Sequence, residues 1–237
     1  LKYNQTLWLK IFFFWGAKYK AGIIYDLIKN DKIIENTKNL SVSYIFDPNL
    51  ESPKFKSNAI FSNKKNQLSE FFKKSEYFVT CIGNELGKTR YYISKELEKR
   101  KLKPLNIISK SAYFDNKQLL GKGVQLFPNS IVHYRAIIGD YCILNTGSIL
   151  EHDCKLGNGV HLMPGSVVGG NTVIGDFVSV GLNATILPQL KIGEGAVIGA
   201  GAVVTKNVNK NEVVAGNPAK LLKKSQQKVD LKIFKKI

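Results

Sequence analysis

A six-residue repeat runs from Ile108 to Val204 in this 237-residue chain. Counting in steps of six meets no insertion, and all 17 anchor positions are apolar. An α-helix has a period near 3.6 and a plain strand a period of 2, so a period of six fits neither. It predicts a solenoid of short stacked strands, and three six-residue units per coil predict a triangular prism with three flat faces.

Two further positions in each six-residue unit show the same periodicity. The fourth residue after an anchor is mostly small or β-branched, with Gln118 and Leu190 as exceptions. The residue directly after an anchor is glycine eight times: Gly121, Gly139, Gly157, Gly169, Gly175, Gly181, Gly193 and Gly199. We therefore expect small residues inside the prism and glycines that allow tight corners.

The segments before the repeat alternate between strand-like and helix-like patterns. They read WLKIFFFW, AGIIYDLIKN, VSYIFD, LSEFFKK, EYFVTCIG, KTRYYISKELEKRK and PLNII. Such alternation predicts a parallel sheet covered by helices. We predict a Rossmann-like α/β domain over residues 1–107, the prism over residues 108–209, and a basic capping segment over residues 210–237.

Ligands of parallel sheets bind beyond the carboxyl ends of the strands. The residues predicted to follow those ends are the candidate substrate-binding residues: Gly16, Ala17, Lys18, Asp47, Gly83 and Asn84. A phosphate-binding loop would carry three close glycines, whereas this loop retains Gly16 and Gly22. Lys18 and Lys20 could supply positive charge to a phosphate, and a plain solvated turn is an equally open alternative.

The net charge of +17 is unevenly distributed along the chain. Residues 1–110 hold 21 Lys/Arg against 10 Asp/Glu, residues 111–209 hold six of each, and residues 210–237 hold eight against two. The lysines form no recognisable nucleic-acid module, so we expect small anionic ligands and no nucleic acid. Three cysteines without paired or metal-type spacing favour a reduced, cytoplasmic protein. The run LWLKIFFFWGA is too short to span a membrane and lacks a signal-peptide cleavage site.

The motifs FFFWGA, VTCIGN, ILNTGSILEHDC, GGNTVIGD and VVAGNPAK together resemble one family. It comprises the sialic-acid O-acetyltransferases and nucleotide-amino-sugar N-acetyltransferases, hexapeptide-repeat acyltransferases with an N-terminal nucleotide-sugar-binding domain. The resemblance implies a left-handed parallel β-helix, a homotrimer with active sites between subunits, acetyl-CoA as cosubstrate, and no metal. Tyr19 and Ala21 stand where the family has glycines, and Asp153 stands where it often has Glu.

The resemblance also assigns roles to single residues. His152 matches the catalytic base, Asp153 the residue that orients it, and Asn145 and His161 line the site. Glu151 is a further catalytic candidate because it adjoins His152. The acetyl-CoA contacts are expected at His161, Gly170, Leu182, Ala200, Lys206 and Pro218, with His161 coming from the facing subunit.

The resemblance implies an N-acetyltransferase that acts on a nucleotide-linked 4-amino-4,6-dideoxy sugar, and the chemistry of histidine suits His152 for taking a proton from the sugar amine. Alternatives within the enzymes are a sugar O-acetyltransferase and a covalent route through Cys154, although that cysteine occupies a small inward position. A zinc site shared by His133, His152 and His161 is a further alternative with unsuitable spacing. Non-catalytic alternatives are a nucleotide-sugar-binding trimer and an inert spacer. The nucleotide carrier is left open among UDP, dTDP and GDP.

Overall fold

The computed structural model describes residues 10–30, 33, 40–114 and 119–235. The first two residues of the predicted WLKIFFFW strand and the repeat position Gln118 lie outside these ranges. The described chain forms an α/β unit followed by a prism of stacked short strands. The two units share one junction, and that junction positions part of the candidate site.

The α/β unit contains a five-stranded parallel sheet with the order β3-β2-β1-β4-β5. Its strands are β1 (Lys10–Trp15), β2 (Leu40–Phe46), β3 (Ile60–Ser62), β4 (Tyr77–Thr80) and β5 (Lys103–Pro104). The sequence patterns did not predict β3. They also treated PLNII as one strand, whereas Lys103–Pro104 joins the sheet and Ile107–Ile108 begins the prism.

Within the described ranges, three α-helices pack on the sheet, and two short 3-10 helices accompany them. The α-helices are α1 (Tyr19–Lys29), α2 (Leu68–Lys74) and α3 (Gly87–Lys99), and the 3-10 helices are Lys65–Gln67 and Lys232–Phe234. Side chains of β1 alternate between two apolar layers, with Phe12 and Phe14 in one and Phe13 and Trp15 in the other. Among all the residues that the structure describes, no helix is long and apolar enough to cross a membrane.

The described part of the prism consists of 17 two-residue strands, and every predicted anchor is the second residue of one of them. The strands stack into three parallel sheets, which we call the covered face, the second face and the third face. The covered face contains Ile107–Ile108, Gln125–Leu126, Ile143–Leu144, His161–Leu162, Ser179–Val180 and Val197–Ile198. The second face contains Tyr113–Phe114, Ile131–Val132, Ile149–Leu150, Val167–Val168, Thr185–Ile186 and Val203–Val204. The third face contains Leu119–Leu120, Ile137–Ile138, Lys155–Leu156, Val173–Ile174 and Lys191–Ile192.

Each strand pairs with the strand one coil further along the same face, as Ile131 does with Ile149. The anchors and the small inward residues form one buried cluster, because each coil places them above those of the coil before. A strand at Glu212–Ala215 extends the covered face, and an antiparallel strand at Lys220–Lys224 pairs with it at the end of the prism. This arrangement of repeats and stacked parallel sheets fits a left-handed β-helix.

The corner glycines have a different role from the expected one. The left-handed backbone conformation occurs three residues after the anchor, for example at Asp153, where φ is +59°. Glycines directly after an anchor are needed because stacked coils approach closely there. A Cβ on Gly139 would lie 2.7 Å from the carbonyl carbon of Gly157 in the next coil. Close packing between coils, rather than turn geometry, therefore requires glycine at these positions.

The covered face packs against the α/β unit, which explains its name. Its outward side chains Ile107, Ile143 and His161 are buried, whereas the equivalent side chains on the third face are exposed. Arg90 of α3 reaches into this junction with its guanidinium buried. It donates hydrogen bonds to the carbonyl oxygens of Ile82, Tyr141 and Gly159 at 2.7–2.9 Å. One side chain thus ties the loop after β4 to two coils of the prism.

Candidate active site

Two edges of the prism carry most of the predicted catalytic and acetyl-CoA-binding residues. The Asn145 edge comprises the corners that lead from the covered face to the second face, represented by residues 145–148. The His152 edge comprises the corners that lead from the second face to the third face, represented by residues 151–154. The sequence motif ILNTGSILEHDC therefore spans one whole face, and its two polar groups lie on different edges.

His152 and Asp153 form a hydrogen-bonded pair on the His152 edge. The imidazole Nδ1 lies 2.9 Å from Asp153 Oδ2. An ionised carboxylate only accepts hydrogen bonds, so Nδ1 must carry the proton and donate it. The neutral imidazole then has its lone pair at Nε2. The His152 side chain is 53% exposed on this edge.

Arg135 holds Asp153 from the preceding coil. It occupies the position equivalent to Asp153 in that coil, and its Nε donates to Asp153 Oδ1 at 2.5 Å. Hydrogen bonds from His152 and Arg135 hold the pKa of Asp153 below its usual range. The carboxylate therefore stays ionised and keeps the proton of His152 on Nδ1. Sequence reasoning missed Arg135, although stepping back one coil from Asp153 along the repeat would have found it.

Gly170 occupies the position equivalent to His152 in the next coil and leaves room for its ring. A Cβ on Gly170 would lie 2.6 Å from His152 Nε2. The backbone N–H of Asn171 donates to the carbonyl oxygen of His152 at 2.9 Å, which fixes the spacing of the two coils. The imidazole therefore lies over a residue that has no side chain.

Glu151 does not contact His152 in the way that Asp153 does. Its carboxylate lies 3.8 Å from Nε2 of His133, which occupies the equivalent position in the preceding coil. Of the two acidic neighbours considered from the sequence, Asp153 is the one that holds the His152 ring. Glu151 remains a prediction as a catalytic residue.

Asn145 and His161 form a second cluster on the junction side of the Asn145 edge. Asn145 Nδ2 lies 3.3 Å from His161 Nε2, and His161 Nδ1 lies 3.0 Å from the carbonyl oxygen of Asn84. A carbonyl oxygen requires a donor, so Nδ1 carries the proton and Nε2 accepts from the Asn145 amide. Burial, with Lys20 and Arg90 nearby, holds the pKa of His161 well below its usual range.

His161 therefore has a different setting from the expected one. The sequence predicted that His161 of the facing subunit contacts acetyl-CoA. In this chain it is only 2% exposed, and both ring nitrogens already have partners within the chain. Its neutral ring connects the loop after β4 to Asn145 and so positions the Asn145 amide.

The other predicted acetyl-CoA contacts divide between the same two edges. Gly170 and Lys206 continue the column of His152, at two residues after their anchors on the second face. Leu182 and Ala200 lie one coil apart on the Asn145 edge, where Leu182 is half exposed. Pro218 lies in the turn between the last two strands, next to Ala219, whose N–H donates to the Val203 carbonyl at 2.8 Å. No single edge holds the whole predicted cofactor set.

Cys154 lies inside the prism. Its side chain is buried, and Sγ donates to the carbonyl oxygen of Gly169 at 3.2 Å. Burial raises the pKa of this thiol to about 11. A thiolate is the nucleophilic form, so this environment disfavours a covalent route.

A pocket of about 580 Å³ opens at the carboxyl ends of β1, β2 and β4. Five of the six predicted substrate-binding residues line it: Gly16, Lys18, Asp47, Gly83 and Asn84. Ala17 lies behind the wall, where its N–H donates to Asp47 Oδ2 at 3.0 Å. Asp47 Oδ1 accepts from the N–H of Asn49, so this carboxylate orders two loops of the pocket.

The C-terminal segment also reaches this pocket, which the sequence did not indicate. Asp230 and Ile233 line the wall. The ring of Phe234 stacks on Trp15 with centroids 4.8 Å apart, and the Arg100 guanidinium lies 4.8 Å from the same ring. Residues predicted to cap the prism thus also extend back to the sheet.

Histidine, cysteine and acidic side chains do not gather as a metal site in the ranges that the structure describes. Among the described residues of one chain, the zinc alternative therefore finds no ligand set. Any zinc shared between copies of the chain would need ligands from more than one copy.

Comparison with known proteins agrees with the repeat. The family model of the bacterial transferase hexapeptide, six repeats, matches residues 153–188 and 171–206. Residues 153–206 therefore match the bacterial transferase hexapeptide repeat.

Solved structures extend the likeness to most of the chain. The acetyltransferase domain of PglB from Neisseria gonorrhoeae, in complex with acetyl coenzyme A, is 23% identical with a TM-score of 0.77 and covers 90% of this chain and 99% of that one. PerB from Caulobacter crescentus, in complex with CoA and GDP-perosamine, is 23% identical with a TM-score of 0.74, and the match covers 90% of this chain and 97% of that one. WeeI from Acinetobacter baumannii is 25% identical with a TM-score of 0.74, and the match covers 90% of this chain and 100% of that one. The resemblance read from the sequence is confirmed in its fold and repeat.

Proposed function

We propose that this protein is an acetyl-CoA-dependent N-acetyltransferase that acts on a nucleotide-linked amino sugar, with His152 as general base. The observation that carries the proposal is the His152–Asp153 pair. Asp153 fixes the proton on Nδ1 and leaves the Nε2 lone pair on an accessible edge. PglB, solved with acetyl coenzyme A, and PerB, solved with CoA and GDP-perosamine, support the choice of substrates.

The chemistry follows from the state of the imidazole. The sugar amine attacks the acetyl carbonyl, the C–S bond breaks, and coenzyme A leaves as a thiolate, which receives from the His152 imidazolium the proton that the amine has lost. The amine must lose a proton in this process, and His152 Nε2 accepts it. The resulting imidazolium is stabilised by the ionised Asp153 carboxylate, which Arg135 holds in place.

The complete site requires two copies of the chain. The expected residues lie on two different edges of one prism, with His152, Gly170 and Lys206 on one and Asn145, Leu182 and Ala200 on the other. In this proposal the chain forms a cyclic trimer in which the His152 edge of one copy faces the Asn145 edge of the next. We therefore place acetyl-CoA in the groove between copies, where Lys206 offers charge to its phosphates.

The parallel sheet holds the sugar nucleotide in this proposal, as a Rossmann-like domain does. The pocket lies beyond the carboxyl ends of its strands, where parallel sheets bind ligands. Its inner side adjoins Asn84, whose carbonyl contacts His161 and through it Asn145. A nucleotide bound there directs its sugar toward the Asn145 edge.

A thiol-release assay tests the function. Purified protein is mixed with acetyl-CoA and, in turn, the UDP-, dTDP- and GDP-linked forms of a 4-amino-4,6-dideoxy sugar and of its 4-hydroxy counterpart. We expect free coenzyme A with an amino sugar and none with the hydroxyl form. Release with the hydroxyl form alone indicates an O-acetyltransferase, and no release with any acceptor contradicts the proposal.

A further inference from the structure

Lys20 carries a buried amino group in the first turn of α1. Its Nζ is shielded from solvent and has no hydrogen-bond partner among the described residues. Nζ lies 4.7 Å from the centroid of the Phe127 ring. The Lys20 side chain passes over Gly83, where an added Cβ would lie 2.6 Å from Lys20 Cε. An ammonium buried without a hydrogen-bonding partner is costly, so this arrangement suits a group that meets its partner on ligand binding.

The described chain supplies no counterion to Lys20. The charged and titratable groups that act on it are Arg90, Cys81 and His161, and none of them is a carboxylate. Asp47 and Asp230 both line the pocket, but neither is among the groups that act on Lys20, and both oxygens of Asp47 are bonded to backbone N–H groups. A counterion for the protonated form of Lys20 must therefore come from a ligand.

The start of α1 provides a second feature that favours an anion. Lys18 is the N-cap residue and makes no side-chain capping bond, and the first turn contains no acidic residue. The first N–H groups of a helix have no partners within the helix and point out of its N-terminus. Such groups favour phosphate, and Gly16 and Lys18 of this loop line the pocket.

We propose that Lys20 Nζ is the counterion of a phosphate oxygen in the diphosphate of the bound sugar nucleotide. This inference rests on the proposed function, which places that nucleotide in the pocket. Lys20 is then a specificity-determining residue that selects diphosphate-linked sugars over free sugars.

Nucleotide binding then takes up a proton. Burial, followed by the charge of Arg90, lowers the pKa of Lys20 to about 7 in the free protein. At pH 8 most of the free pockets hold a neutral amine, and a phosphate restores the ammonium. Arg90, with a pKa of about 10, stays charged near pH 8, while Cys81 and His161 stay neutral because burial raises the pKa of the thiol and lowers that of the imidazole. Affinity should fall up to about tenfold per pH unit above pH 7.

Titration calorimetry at pH 8 tests this proposal. UDP, dTDP, GDP and their nucleosides are titrated into the full chain in two buffers with different ionisation enthalpies, which gives the number of protons taken up. The variants are Lys20→Met, Lys20→Arg and, as a matched control on the same helix, Lys29→Met at an exposed position. Thermal unfolding confirms that each variant is folded.

We expect wild type and Lys29→Met to take up a proton with a nucleoside diphosphate and none with a nucleoside. Lys20→Met should bind the diphosphate about 10- to 100-fold more weakly and take up none. Lys20→Arg should bind without uptake, since arginine is always charged. Equal diphosphate binding by wild type and Lys20→Met, or uptake that persists in Lys20→Met, overturns the inference alone. Wild-type protein that binds none of the three diphosphates overturns the nucleotide part of the proposed function as well.

Discussion

The imidazole of His152 lies directly over Gly170, one coil further along the same edge. A Cβ on Gly170 would lie 2.6 Å from Nε2, closer than any real contact. The two positions are equivalent in successive coils, so the repeat itself sets this relationship. A histidine on the edge can hold this orientation only where the next coil has no side chain.

Gly170→Ala should therefore impair catalysis while the prism stays folded. Gly170 is not in the left-handed backbone region, so alanine is conformationally acceptable there. The added methyl pushes the imidazole off its position, and we expect turnover to fall about 10- to 100-fold. Thiol release measures turnover, and thermal unfolding checks the fold. Normal turnover in a folded variant would show that the position of the ring over Gly170 is not used.

Asp153→Asn and Glu151→Gln should have unequal effects. Asparagine tolerates the positive φ of position 153, as Asn171 does in the next coil, so this variant should fold. It loses the ionised partner that fixes the proton on Nδ1, and we expect turnover to fall by about 10²-fold. Glu151→Gln changes a group that lies near His133 and should cost little. Turnover numbers from the same assay compare the two, and a larger loss in Glu151→Gln would reverse the assignment.

Mixed assemblies should recover activity if the site lies between copies. His152→Ala and Asn145→Ala each remove one edge of every site. Unfolding and refolding the two together creates some interfaces with both native edges, so partial thiol-release activity should return. Each variant refolded alone is the control. Mixed protein that forms oligomers but stays as inactive as the controls would place both edges in separate sites.

The stability difference between wild type and Lys20→Met should depend on pH. Folding lowers the pKa of Lys20 from 10.5 to about 7, so between these values the unfolded chain binds more protons. The free energy of unfolding of wild type should therefore rise with pH relative to the variant. Lys20→Met should be the more stable protein at pH 7, and the gap should narrow toward pH 10. Urea unfolding at several pH values measures this, and a constant gap would contradict the lowered pKa of Lys20 in the folded protein.

The sequence predicted the prism well because a strict period leaves few alternatives. Each anchor from Ile108 to Val204 became the second residue of a strand, since one apolar contact per coil fixes the register. It also identified the loops of the pocket, because parallel strands place their ends together. Short features without a pattern were missed, including the strand Ile60–Ser62 and the return of Phe234 to Trp15.

The candidate site was only partly predictable for a related reason. Neighbours in sequence drew attention to Glu151, His152 and Asp153 as one group. In a prism, the nearest residues also come from the adjacent coils. Arg135 binds Asp153, His133 lies near Glu151, and Gly170 lies under the ring of His152. The burial of His161 depends on the packing of the α/β unit against the covered face, which no local pattern records.

The turnover number of His152→Ala tests the role of His152 as general base most directly. It is measured by thiol release with acetyl-CoA and the amino sugar nucleotide that wild type uses. The variant should keep its assembly and its affinity for acetyl-CoA and the nucleotide, because His152 lies at the surface of the edge. Its turnover should fall about 10²-fold or more, since the amine then has no positioned proton acceptor. Turnover close to that of wild type in a folded, ligand-binding variant would contradict His152 as the general base.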